Sequence, residues 1–100
     1  MVKRKIIWSP RAKLNLKIIL DFYFKRNGTK TFSKKLHSSF RKSIKLLEEY
    51  AAIGVQTDTL NTRSLTEGNY SIFYEIKPET IEIITLWDNR QNPANLHIKG

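Results

Sequence analysis

The side chains with chemical capacity in this chain are mostly cationic. Of 100 residues, 18 are Lys or Arg and nine are Asp or Glu, giving a net charge of +9. The two signs are separated: residues 1–45 hold 14 basic side chains and one acid, Asp21, whereas residues 46–100 hold four basic and eight acidic ones. One acid among fifteen charges is more bias than a solvated helix face needs. A polyanionic partner is therefore expected, whether nucleic acid, the ribosome, an acidic protein segment or an anionic membrane surface, attracted at long range and bound with counterion release. Lys34, Lys35, Arg41 and Lys42, clustered in the basic half, are the candidate nucleic-acid contacts.

Other chemistries lack their parts. With no cysteine there is no thiol nucleophile, disulfide framework or cysteine-ligated zinc. His37 and His97 are far apart and the carboxylates are scattered, so no metal site is expected. No glycine-rich phosphate loop is present, and no cofactor is expected. Two arginines stand out in the acidic half. Arg63 falls in an expected strand, where it can pair with an acid such as Glu75, and Arg90 follows a strand in a turn ending at Pro93, within reach of Asp88.

These residues need elements to position them. Lys5-Ile6-Ile7-Trp8 reads as a short strand, rich in β-branched and aromatic residues. Ser9 can cap a helix with its hydroxyl, and Pro10 suits the first helical position, where its missing N–H has no partner to lose. From Pro10 to about Arg26, Ala12, Leu16, Ile19, Leu20 and Tyr23 make one apolar face. Leu14, Ile18 and Phe22 make a second stripe nearly opposite, for a protein partner, a homodimer seam or the next helix. Asn27-Gly28-Thr29 breaks the helix, and a second follows from Thr29 or Thr31 to about Glu49, its face set by Phe32, Leu36, Phe40, Ile44 and Leu47. The short joint implies an antiparallel helix hairpin.

Residues 51–58 read as a loop, followed by a strand near Leu60 to Thr66 and a hairpin turn at Glu67-Gly68-Asn69. Two alternating strands follow, Tyr70 to Ile76 and Ile81 to Asp88, joined by a turn at Lys77-Pro78-Glu79-Thr80. The expected fold class is α+β with order β-α-α-β-β-β: a helix hairpin on one face of a small, largely antiparallel four-stranded sheet. Tyr70, Tyr74, Trp8 and Trp87 are read as core or interface aromatics, and His37 as an exposed helix residue. The length suits a single domain over residues 1–100, and 40% hydrophobic content suffices for a core. No apolar run approaches the roughly 18–20 residues of a membrane span and no cleavable leader is evident, so a soluble cytoplasmic protein without a membrane partner is expected.

Taken in order, Ile7-Trp8-Ser9-Pro10-Arg11-Ala12, Phe32 and Leu36, Ile53-Gly54, Arg63-Ser64-Leu65, Tyr70 to Ile76 and Asp88-Asn89-Arg90-Gln91-Asn92-Pro93 resemble the RelE/ParE superfamily of toxins from type II toxin–antitoxin systems. The resemblance covers nearly the whole chain. It implies neutralisation by a cognate antitoxin that wraps the toxin, and either a homodimer or a toxin–antitoxin hetero-oligomer. It also implies one of two activities: RelE-like members cut messenger RNA on the ribosome without a metal, and ParE-like members poison DNA gyrase by binding.

RNA cleavage requires a base for the 2′-hydroxyl, cations for the phosphorus centre and an acid for the leaving oxygen. By resemblance, Arg63 and Arg90 would supply cations and His97 the imidazole near the C-terminus. The family's arginine after the tyrosine that starts the third strand is here Ser71, and the C-terminal tyrosine is missing. A lost transition-state contact of this type costs about 10²–10³ in rate. The expected function is therefore a ParE-like toxin. A RelE-like endoribonuclease is the alternative, and a non-toxic basic module binding nucleic acid through its helices is the third reading.

Overall fold

The computed structural model describes residues 3–91. Strand β1 (Lys5–Trp8) leads through Ser9 into helix α1 (Pro10–Asn27), and helix α2 (Thr31–Leu46) follows after three residues. Ser9, in an extended conformation, accepts the Ala12 N–H on its Oγ at 3.0 Å and donates the same hydroxyl to the Ile84 carbonyl at 2.7 Å. One side chain thus caps α1 and ties it to the sheet. Gly28 closes α1 at φ +71°, a left-handed conformation that costs glycine little, with its N–H on the Phe24 carbonyl.

After α2 come a 3₁₀ turn (Ala51–Ile53), β2 (Val55–Gln56), β3 (Thr62–Glu67), β4 (Tyr70–Ile76) and β5 (Thr80–Asp88). The sheet order is β1-β5-β4-β3-β2, with β1 parallel to β5 and every other pair antiparallel. The sheet therefore has five strands where the sequence suggests four. The extra one, β2, is a two-residue pairing of Val55 with Ser64 and Gln56 with Arg63, too short to leave an alternation pattern. The third strand begins at Thr62 because Asn61 takes a positive φ of 62° before it, and Leu60, expected in the strand, is 82% exposed. Helix α2 stops at Leu46 and not at Glu49, since residues 47–49 continue as tighter turns.

The helices cover one sheet face. Ala12, Phe40, Ile44 and Leu47 from this layer bury against Tyr70, Ile72, Tyr74, Ile81, Ile83 and Leu86. Ser33 Oγ donates to the Leu20 carbonyl at 2.8 Å and pins the hairpin. The β4–β5 register shifts between Phe73 and Tyr74, where Phe73 faces Thr85 and Tyr74 faces Ile83, leaving Ile84 as the extra residue of a bulge. Past the bulge β1 no longer accompanies β5. Asn15 Oδ1 of α1 takes its place, accepting the Leu86 N–H at 3.2 Å and the Thr85 hydroxyl at 2.7 Å. Among the described residues no helix is long and apolar enough to cross a membrane.

Candidate functional site

The register that pairs Tyr70 with Asp88 sets the start of β4 beside the end of β5, within reach of Tyr23 of α1. Two residues beyond Asp88 the chain turns back, and Arg90 folds onto it. The carboxylate receives Arg90 Nε on Oδ1 at 2.9 Å and Nη2 on Oδ2 at 2.8 Å, a bidentate pair, while the Arg90 backbone N–H also meets Oδ1 at 2.9 Å. Arg90 Nη2 extends to Tyr23 Oη at 3.3 Å, and Tyr70 donates its hydroxyl to the same oxygen at 3.1 Å. Tyr23, Tyr70, Asp88 and Arg90 thus form one connected polar network.

Each ionisation follows from its neighbours. Hydrogen bonds from Tyr70 and then Arg90 hold the Tyr23 phenol below its usual value, against a smaller effect of burial. Burial, and then the bond to Tyr23, pushes Tyr70 up. The Arg90 side chain holds Asp88 below the usual carboxylate range. A cavity of about 270 Å³ opens beside the network, walled by Ile18 and Phe22 of α1, by Trp87 and by Arg90 itself.

Arg63 has a different task. Its Nη1 donates to the Gly54 carbonyl at 2.7 Å and the Ala52 carbonyl at 3.2 Å, so it fastens the 3₁₀ turn to β3. The expected pairing with Glu75 does not occur, because Glu75 lies opposite Thr62 and Arg63 opposite Tyr74. Tyr74 works on the same turn, accepting the Gly54 N–H at 2.9 Å and donating to the Ala51 carbonyl at 2.7 Å. A Cβ on Gly54 would sit 2.5 Å from Tyr74 Oη, so only glycine fits this closure. Arg63 and Arg90 share no hydrogen bond: Arg63 lies opposite Tyr74, and Arg90 holds Asp88, which lies opposite Tyr70, four residues and roughly 13 Å along the strand from Tyr74.

Ser71, at the position where the ribonucleases of the superfamily are expected to carry arginine, is 7% exposed and donates its hydroxyl to Asn89 Oδ1 at 2.7 Å. His97 lies outside the described residues. Tyr70, Tyr74 and Trp8 belong to or pack on the core, as their alternation implies. His37, expected to be exposed, is half-buried. Lys34, Arg41 and Lys42 line one groove with Lys45, whereas Lys35 is exposed outside it. Leu14, Ile18 and Phe22 are 56%, 58% and 53% exposed, so the second stripe of α1 does not pack on α2. Tyr23 escaped the sequence reading as a site residue because it lies on the apolar stripe of α1. Among the described residues no group of three or more His, Asp or Glu could hold a metal ion.

Comparison with known proteins agrees with this architecture. The family model of the ParE toxin of type II toxin–antitoxin systems matches residues 6–93. Among solved structures, the chromosomal ParDE toxin–antitoxin system from P. aeruginosa superposes with TM-score 0.76 at 21% identity, covering 86% of this chain and 96% of that one. The YoeB dimer from Staphylococcus aureus gives 0.59 at 18% identity, covering 83% and 93%. The E. coli DinJ–YafQ toxin–antitoxin complex gives 0.59 at 10% identity, covering 89% and 96%. No curated protein matches by sequence. With the family model spanning nearly the whole of the fold described above, this chain belongs to the ParE toxin family of type II toxin–antitoxin systems.

Proposed function

We propose that this toxin acts in the ParE manner, by binding a protein target such as DNA gyrase, and that a cognate antitoxin neutralises it. The observation that carries this reading is the engagement of the arginines a ribonuclease would need. Arg90 is neutralised by a bidentate carboxylate, Arg63 is occupied by two backbone carbonyls, and Ser71 supplies no cation. Phosphoryl-transfer catalysis depends on positive groups aimed at the charge that develops on the phosphorus centre. An Asp–Arg pair presents nearly zero net charge there.

The exposed stripe Leu14–Ile18–Phe22 and the adjoining cavity suit an antitoxin segment with apolar anchors. Such a segment fits the toxin–antitoxin assemblies of the ParDE and DinJ–YafQ relatives. The test is direct: purified toxin is added to gyrase supercoiling reactions and, separately, to translating ribosomes. Inhibited supercoiling with intact message is expected. Cleaved message without gyrase inhibition would assign the RelE-like activity.

A further inference from the structure

A second concavity shares no lining residue with the Tyr23–Arg90 network. It is a groove of about 620 Å³ between α2 and the edge strand β1, with Ile6 and Trp8 in its floor and Lys34, Arg41, Lys42 and Lys45 along its wall. We infer that this groove binds the sugar–phosphate backbone of a single-stranded nucleic acid, at a site separate from the Leu14–Ile18–Phe22 stripe proposed above for the antitoxin.

Four observations support this. First, α2 carries five Lys or Arg and no acid between Thr31 and Leu46, and the groove's one carboxylate, Glu48, lies beyond the helix. Second, none of these cations is compensated. Among the described residues, Lys34, Arg41, Lys42 and Lys45 enter no ion pair and no side-chain hydrogen bond. Arg41 and Lys45 even stand one turn apart as like charges, an arrangement that opposes the helix and is relieved by a bound anion.

Third, the spacing suits a repeating polyanion. Lys34, Arg41 and Lys45 span eleven residues, roughly 16 Å at about 1.5 Å per residue, with Ser38 and half-buried His37 between the first two as further polar groups. Successive phosphates of a stacked strand lie about 3.4 Å apart along the axis, so several fall within that span. Fourth, the floor offers half-buried Trp8, and an aromatic platform beside a cationic track is how single strands are held without sequence preference.

An acidic peptide is the less favoured occupant. Ile44, the remaining apolar residue of the groove, is 4% exposed and gives an amphipathic helix little to grip. The edge strand begins with exposed Lys5, and exposed Lys3 stands just before it, which discourages strand addition.

Fluorescence anisotropy of a labelled single strand of about 20 nucleotides, titrated with the full chain from about 50 to about 200 mM salt, tests the site. The groove variant Lys34→Gln/Arg41→Gln/Lys42→Gln is compared with Lys13→Gln/Lys17→Gln/Lys25→Gln, which removes equal charge from exposed positions of α1. Both variants alter exposed side chains only, and circular dichroism verifies their fold. The groove variant is expected to lose about tenfold or more in affinity, and its log–log salt slope to fall by about 2, near 0.7 per lost phosphate contact; the control changes less than half as much. Equal losses in both variants would overturn the site in favour of bulk charge. Tighter binding of a duplex, or of polyglutamate, with the same loss in the groove variant would overturn the single-strand assignment.

Discussion

Asp88 and Arg90, two residues apart at the end of β5, form a closed pair in which the guanidinium meets both carboxylate oxygens at 2.9 and 2.8 Å. The turn that allows it is held by the Gln91 N–H on the Asp88 carbonyl and by the Asn89 N–H on the Asn69 carbonyl. An arginine held this way works as a clamp between the last strand and Tyr23 of α1 more readily than as a free phosphate ligand.

The pair has a pH signature. Because Arg90 holds Asp88 below its unfolded value, the contribution to stability is fully present above the unfolded carboxylate pKa of about 3.9 and is lost as pH falls through the lower folded value. Thermal unfolding of the wild type and Asp88→Asn should differ by a constant amount from neutral pH down to about pH 4.5, and the gap should close in more acid solution. A gap unchanged at the acid limit would mean that the carboxylate charge is not what matters.

Tyr23→Phe should cost more than Tyr70→Phe. Tyr70 is 5% exposed and its hydroxyl donates only to Tyr23. Removing the acceptor leaves that buried donor unpaired, at about 1–3 kcal/mol, whereas removing the Tyr70 hydroxyl itself leaves the more exposed Tyr23 able to bond water. Urea unfolding of the two variants and the double variant measures the order, and equal costs would dissolve the proposed dependence.

The 3₁₀ closure predicts a further loss. Gly54→Ala places a methyl 2.5 Å from Tyr74 Oη and 2.9 Å from the Ser64 carbonyl, so the hydroxyl that bridges Gly54 and Ala51 must move. Destabilisation of about 1–3 kcal/mol is expected from overpacking, with more if the bridge is lost. Stability within experimental error of wild type would show that the turn adjusts freely.

Phe22→Glu separates surface from core. The ring is 53% exposed, so the isolated toxin should keep its stability within about 0.5 kcal/mol. Binding to the antitoxin, measured by calorimetry, should weaken at least tenfold. Unfolding of the variant alone, with antitoxin affinity retained, would place the stripe in the core.

Much of this architecture is written locally in the chain. Ser9-Pro10 and Gly28 bracket α1 through cap chemistry, and the alternation from Tyr70 to Ile76 and from Ile81 to Asp88 matches the central strands. What escaped the sequence depends on long-range register. β2 exists only because Val55 and Gln56 meet Ser64 and Arg63, and the role of Arg63 was hidden because its partners are backbone carbonyls, which every residue carries. The Asp88–Arg90 pair was visible as neighbouring opposite charges. Its extension to Tyr23 was not, because 67 residues intervene and Tyr23 keeps the spacing of a core face.

On the function proposed above, this ParE-family toxin acts by engaging a protein and not by cutting RNA. The most direct measurement is gyrase supercoiling with purified wild-type toxin and Arg90→Ala, run beside message integrity on translating ribosomes. Concentration-dependent inhibition of supercoiling with message left whole is expected. Message cleaved by the wild type and spared by Arg90→Ala, with gyrase unaffected, would contradict it.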